Sequence, residues 1–198
     1  MKKIPTLFLR EFLDDHTCKT LQDVTPGMEC VMRGETIPTV KYDGAACAVI
    51  NGKFYKRYDA KQGKKVPEGA IPCIKESDPI TKHFPHWIEI KDDPSDKWFK
   101  KAYEYSFIKY SKNPDIMPDN TYEAIGKHFN GNPYGLDHDE LIRHGEDVIT
   151  SLLYQPLEYY QIKDYLRDHP EHEGIVFWKA DMSEPLCKIR RKDFGFKW

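Results

Sequence analysis

The sequence predicts an α+β protein of mostly antiparallel sheets with flanking helices, read as a single domain over residues 1–198. Three observations carry this. Two strand-like runs flank Asn51-Gly52, the strongest two-residue signal for an antiparallel hairpin. Fourteen prolines spread along the chain divide it into many short elements joined by defined loops. Strand-like and helix-like runs do not alternate as regular β-α-β units, which favours segregated elements over a parallel α/β sheet.

In chain order, residues 45–50 read as a strand, Asn51-Gly52 as its turn and 53–58 as the return. A two-residue loop sets Arg57 opposite Ala46 and returns a guanidinium to the neighbourhood of Lys41. The outgoing strand opens with Ala45, Ala46, Cys47 and Ala48, and alanine is a poor strand former. Small side chains there would leave room for a flat ligand against the sheet, local propensity given up for function. Residues 59–94 are loop-rich, with one strand at 86–90. A helix is expected from Ser95, its cap, with Trp98, Phe99, Ala102, Tyr103, Ser106, Phe107 and Tyr110 as a core-facing stripe. A strand at 121–126 follows, then the turn-rich Asn130-Gly131-Asn132-Pro133. A short helix at 137–144, a strand at 147–150 and a helix from Pro156 to about Asp168 come next. Strands at 174–179 and 186–191 close the chain.

Composition narrows the function classes. The chain is 39% hydrophobic and 31% charged, ordinary for a water-soluble globular protein, and its net charge of −2 exerts no global pull on nucleic acid. Any such partner must be met by local patches: Lys53, Lys56, Arg57, Lys61, Lys64 and Lys65, or Lys188, Arg190, Arg191, Lys192 and Lys197. Runs of this kind are more often solvated faces than binding sites. Five cysteines, an odd number without C-x-x-C spacing, argue against a disulfide framework and for a reducing compartment. The apolar run at Leu7-Phe8-Leu9 is stopped by Arg10-Glu11, too short for a signal peptide, and no run approaches membrane-spanning length. The expectation is a cytoplasmic protein with no membrane partner and no obligatory protein partner.

The chemistry is concentrated in a few places. Lys41-Tyr42-Asp43-Gly44 sets a lysine at a strand end two residues before an Asp-Gly turn, a placement suited to an amine that attacks a nucleotide phosphate. Glu173 stands at the mouth of the apolar run Gly174-Ile175-Val176-Phe177-Trp178. Lys188 and Arg190 lie two apart, so strand alternation puts both cations on one face. Glu123 sits inside Tyr122-Glu123-Ala124-Ile125-Gly126, where an unpaired carboxylate would be costly. Each feature alone is more often a surface group; their order is what gives them weight. His83/His86 and His169/His172 have H-x-x-H spacing, but with no acidic third ligand on a clear helix they read as ordinary loop histidines. No P-loop, G-x-G-x-x-G or G-x-S-x-G motif is present, so phosphate would be held by side chains such as Lys41, Lys188 and Arg190.

The order of Lys41-Tyr42-Asp43-Gly44, Arg57, Tyr122–Gly126, Glu173–Val176 and Lys188-Ile189-Arg190 resembles the motif series of covalent nucleotidyltransferases, the ATP-dependent polynucleotide ligases and mRNA-capping guanylyltransferases. With Asn132-Pro133-Tyr134-Gly135-Leu136 it is most similar to the small 5′-to-3′ RNA ligases that include a vertebrate cytosolic enzyme. The resemblance spans about Thr39 to Gly195 and implies an adenylation domain. It implies that Lys41 attacks the α-phosphate of ATP to form lysyl-AMP, that AMP passes to an RNA 5′-phosphate, and that a 3′-hydroxyl displaces it. A lysine at its ordinary pKa of about 10.4 is protonated; partial desolvation, a neighbouring cation or a metal would lower that value. In this reading Lys188 is the neighbouring cation and, with Arg190, stabilises charge on the α-phosphate. Glu173 positions Mg²⁺ (or Mn²⁺) through waters. Glu123 accepts from ribose hydroxyls or assists the metal, Arg57 contacts the ribose or the incoming 5′-phosphate, and Asp43 and Gly44 shape the turn. The segment from Lys53 to Lys65 is the candidate grip on RNA phosphates. Two departures stand out: no clear aromatic is offered for stacking on adenine, with Phe129, Tyr134 or His144 as substitutes, and the expectation is a domain without the OB-fold that DNA ligases and capping enzymes carry after the last motif. The alternatives are a nucleotide- or RNA-binding module without turnover, and a GTP-dependent capping-type transferase.

Overall fold

The computed structural model describes residues 3–14, 18–61, 64–79, 82–110 and 117–198. Eleven strands and three α-helices are formed among them: β1 (Phe8–Phe12), β2 (Cys18–Val24), α1 (Glu29–Met32), β3 (Thr36–Lys41), β4 (Ala45–Ile50), β5 (Lys53–Asp59), β6 (Ile71–Pro72), β7 (Pro85–Glu89), α2 (Lys97–Tyr110), β8 (Asn120–Gly126), β9 (Asp139–Arg143), α3 (Tyr159–Asp168), β10 (Gly174–Lys179) and β11 (Pro185–Arg190). The architecture is mixed, mostly antiparallel sheet with a few helices, and no helix among the described residues is long and apolar enough to cross a membrane. The chain divides into two compact units, one built mainly from Asp43–His144 and the other from Ile4–Tyr42 with Gly145–Trp198.

The first unit is a six-stranded sheet in the order β6-β7-β5-β4-β8-β9. Its centre is the hairpin β4–β5, with Cys47 opposite Lys56 and Ile50 opposite Lys53. The paired register of β4 and β5 ends at Cys47 and Lys56; Ala46 lies opposite Glu123 on β8 and Arg57 opposite Trp87 on β7. Asn51 and Gly52 both adopt positive φ, 51° and 71°, as a tight hairpin turn requires. Their two N–H groups donate to the Asp119 carboxylate at 2.6 and 3.0 Å, so a distant side chain satisfies the turn's backbone. Helix α2 lays Ala102 and Tyr110 into a core with Cys47, Val49, Tyr122 and Leu141, and Trp98, Phe99, Tyr103 and Phe107 pack against it. The stripe is core, as its spacing implies. The turn leading into the helix is capped by Asp93, whose carboxylate accepts from Ser95 N–H at 2.8 Å; the expected cap, Ser95, is itself the donor. Cys47 and Ala48 are also packing residues, buried in two clusters on opposite faces of β4, while Ala45 and Ala46 are partly buried.

Residues 139–143 are a strand where the sequence suggested a helix. Open on one edge, β8 takes β9 as its partner, with Glu123 opposite Ile142 and Ala124 opposite Leu141. Asp139 and Leu141 alternate inward, and Leu141 N–H donates to Ser106 Oγ at 2.7 Å. An eight-residue window held too few positions to separate a period of 2 from one of 3.6, and sheet completion decided.

The second unit holds a three-stranded sheet, β11-β10-β3, and the hairpin β1–β2. Ile175 and Phe177 from β10, and Cys187 and Ile189 from β11, are fully buried with Leu7, Phe8, Ile162 and Leu166. Fully burying a side chain of this size contributes roughly 1.5–3 kcal/mol. The expected strand at 147–150 is reduced to one bridge, Val148 with Thr39, before a 3₁₀ turn at Thr150–Leu152. α3 begins three residues after Pro156, at a capping box of Glu158 and Gln161. The hairpin β1–β2 and helix α1 have no counterpart among the elements expected from sequence.

Leu141→Ala is expected to lower unfolding free energy by about 2–5 kcal/mol in urea titrations. Glu140→Ala, next along the strand, should change it by less than about 0.5 kcal/mol; equal losses at both would contradict the strand.

Candidate functional site

In the second unit the sequence-predicted residues fall on one sheet face. Lys41, the last residue of β3, pairs opposite Gly174, which pairs on its other side with Arg190. One row along, Thr39 lies opposite Val176 and Val176 opposite Lys188. Residues directly opposite in an antiparallel ladder share a face, so Lys41, Lys188 and Arg190 stand together. Val40, Ile175 and Ile189 point to the other side, into the core. Gly174 is the middle of the front row. A Cβ there would lie 2.2 Å from the Ile189 carbonyl oxygen, so glycine is required by the close approach of β11.

Glu173, immediately before β10, is 7% exposed and forms an ion pair with Lys41. Lys41 Nζ also donates to the Tyr42 carbonyl at 3.2 Å, and Tyr42 Oη donates to Asp147 at 2.7 Å. Behind Lys41, the Thr39 hydroxyl accepts from the Trp178 indole N–H at 3.0 Å and donates to the Val176 carbonyl at 3.3 Å. Arg190 is fixed by Asp193, donating from Nε at 3.1 Å and from Nη2 at 2.8 Å. Its neighbour Arg191, counted in the basic C-terminal run, is 7% exposed and donates to the backbone carbonyls of Leu166, His169 and Lys197. That cation is structural, a cap on the C-terminal end of α3.

The first unit holds Glu123, Arg57 and the Asp-Gly turn. Glu123 Oε1 accepts from Gly44 N–H at 3.1 Å and Oε2 faces His144 Nε2 at 2.9 Å, so the acid inside an apolar strand is fully partnered. His144 Nδ1 lies 2.9 Å from the Thr121 hydroxyl. Asp43 N–H donates to Tyr134 Oη at 2.6 Å, and the Asn130 amide donates to Asp43 Oδ1 at 2.9 Å and to the Gly44 carbonyl at 2.7 Å. Gly44 has no room for a side chain, since a Cβ would sit 2.1 Å from the Ala124 carbonyl oxygen. Asn130 was missed as a site residue; its signal was the Asn-Gly-Asn-Pro turn, which gave a bend but no target. Of the three proposed stacking rings, Phe129 is buried in the core against Phe99, Tyr134 holds the turn, and His144 is turned edge-on to Glu123.

The basic segment of this unit is partly engaged. Lys53 pairs with Glu89 at 3.1 Å and Lys56 with the buried Asp96, while Lys61, Lys64 and Lys65 are exposed. Arg57, half-buried, lies opposite Trp87 on β7. His83 faces Asp59, and buried His86 lies 2.8 Å from the Phe84 carbonyl. The chain matches no protein-family model, and no curated protein matches it.

Gly174→Ala drives a methyl group into the β11 backbone and is expected to cost about 1–3 kcal/mol in thermal or denaturant unfolding. A neutral result would mean that β10 and β11 are not held at this separation.

Proposed function

We propose that the protein is an ATP-dependent RNA ligase that joins 5′-phosphate and 3′-hydroxyl RNA ends through lysyl-AMP and RNA-adenylate intermediates. The observation that carries the reading is the sheet face with Lys41 on β3, Lys188 and Arg190 on β11, Gly174 and Val176 of β10 between them, and Glu173 paired to Lys41. A row of cations around an amine that has its own carboxylate suits attack on a nucleotide α-phosphate. The choice of ATP and RNA rests on the resemblance of the motif series.

In the first step Lys41 Nζ forms a bond to the α-phosphorus, the bond from that phosphorus to the bridging oxygen breaks, and pyrophosphate leaves with the electron pair. An ammonium has no lone pair. Lys41 therefore sheds one proton to attack and a second as the N–P bond forms. Glu173 is the carboxylate in place to take the first, and the second passes to solvent. Lys188 and Arg190 offset the charge that accumulates on the phosphate oxygens, and Asp193 keeps Arg190 aimed while it does so. An oxygen of the RNA 5′-phosphate then attacks the α-phosphorus, the N–P bond breaks and the Lys41 amine leaves, taking up a proton; the 3′-hydroxyl loses its proton to solvent as its oxygen attacks the 5′-phosphorus and expels AMP.

Glu173 and Glu123 offer carboxylate oxygens, the donor type that Mg²⁺ (or Mn²⁺) takes. Each is already partnered within its own unit, Glu173 by Lys41 and Glu123 by Gly44 N–H and His144. When bound, the metal would neutralise phosphate charge. Arg57 and Glu123 are assigned to the nucleotide by the resemblance, and the exposed lysines at 61, 64 and 65 are the candidate contacts to RNA phosphates.

Incubation with α-labelled ATP and Mg²⁺ is expected to leave an adduct that survives denaturing electrophoresis. Lys41→Ala should abolish it, and Lys188→Ala should lower its rate of formation about 10²–10³-fold. Folded protein that labels with neither ATP nor GTP would leave only a binding module; label from GTP alone would turn the reading to capping chemistry. With the adduct in hand, 5′-phosphorylated RNA and DNA strands, nicked or single, separate the acceptors.

A further inference from the structure

The loop from α3 into β10 reads His169-Pro170-Glu171-His172, and its two histidines were set aside above for want of an acidic third ligand. The acid lies between them. One ligand atom each from His169, Glu171 and His172 lies within 4.8 Å of the other two. Glu171 Oε1 is 2.9 Å from His169 Nδ1 and 3.8 Å from His172 Nε2. We propose that these three side chains form a binding site for a divalent first-row transition ion of the zinc type, independent of the proposed ligase chemistry.

The donor set is what such an ion takes: two imidazole nitrogens and one carboxylate oxygen, with a fourth position left to water or another ligand. At zinc–ligand distances of about 2.0–2.2 Å, tetrahedral donors stand roughly 3.3–3.5 Å apart. The distances of 2.9 and 3.8 Å from Glu171 lie on either side of that spacing, and the two imidazole nitrogens, within 4.8 Å of each other, close on the ion by side-chain rotation. Magnesium, which takes oxygen donors, is disfavoured by the same set.

The histidines are also held from behind. Tyr165 Oη lies 3.0 Å from His172 Nδ1, and a proton on Nδ1 donated to that hydroxyl leaves the Nε2 lone pair facing Glu171. The two imidazoles lie nearly parallel, 11° apart with centroids at 5.3 Å, and the Tyr165 ring packs beside both. The His169 carbonyl accepts from His172 N–H at 3.2 Å and from buried Arg191 at 3.1 Å, which fixes the backbone between the ligands. A metal here would tie the end of α3 to the residue that precedes Glu173.

The test uses untagged full-length protein, stripped with chelator and titrated with ZnCl₂ in a calorimeter. One saturable equivalent is expected, with a rise in melting temperature. His169→Ala, at a ring on the outer side of the cluster, should weaken binding at least about tenfold and remove the thermal shift. Tyr165→Phe, which keeps all three ligands, should weaken it about 10–100-fold. Co²⁺ should give the visible absorption of a four-coordinate site, lost in His169→Ala whether or not that variant is less stable. No saturable binding would overturn the proposal. So would binding that survives His169→Ala, or binding lost with Glu173→Gln and kept in His169→Ala, which would place the ion on the neighbouring acid.

Discussion

The ligase chemistry proposed for the second unit depends on the register of three strands. Because side chains alternate along a strand, the same six-residue stretches that bury Ile175, Phe177, Cys187 and Ile189 must present Lys188 and Arg190 on the opposite face. A slip of one residue would exchange the two sets, sending cations into the core and isoleucines to the front. Apolar packing behind the sheet thus fixes charge in front of it. Gly174 completes the constraint, since its missing side chain admits the β11 backbone between Lys41 and Arg190.

Charge on this face is paired before any ligand arrives. Lys41 has Glu173 and Arg190 has Asp193. Such pairs add little net stability, because desolvation offsets much of the attraction. Their effect is positional: each cation is held in one place by a largely buried carboxylate. Arg191 makes the contrast, with the same charge and adjacent sequence but a guanidinium turned inward onto three carbonyls. A count of basic residues could not tell these two arginines apart; strand alternation could.

What was legible in the sequence was local. The β4–β5 hairpin follows from Asn51-Gly52, the α2 stripe from its spacing, and the strands around Ile175 and Ile189 from apolar runs with an acid or cations at set offsets. Long-range pairing was not. β9 exists because β8 has an open edge, and β1 and β2, mostly exposed, show no periodic signal of their own. The partner of Glu123 lies 21 residues away at His144, and that of Lys41 lies 132 residues away. The small residues of β4 were read as space for a ligand, yet Cys47 and Ala48 serve packing on its two faces.

Glu123 has a consequence of its own. Both carboxylate oxygens are occupied at rest, one by the Gly44 amide and one by the His144 imidazole. Each oxygen keeps a second lone pair, so a guest hydroxyl can donate beside the internal partner, whereas a cation meets the groups already facing that oxygen. Occupancy of this carboxylate by a cation would therefore be governed by competition with internal partners whose local concentration is fixed by the fold.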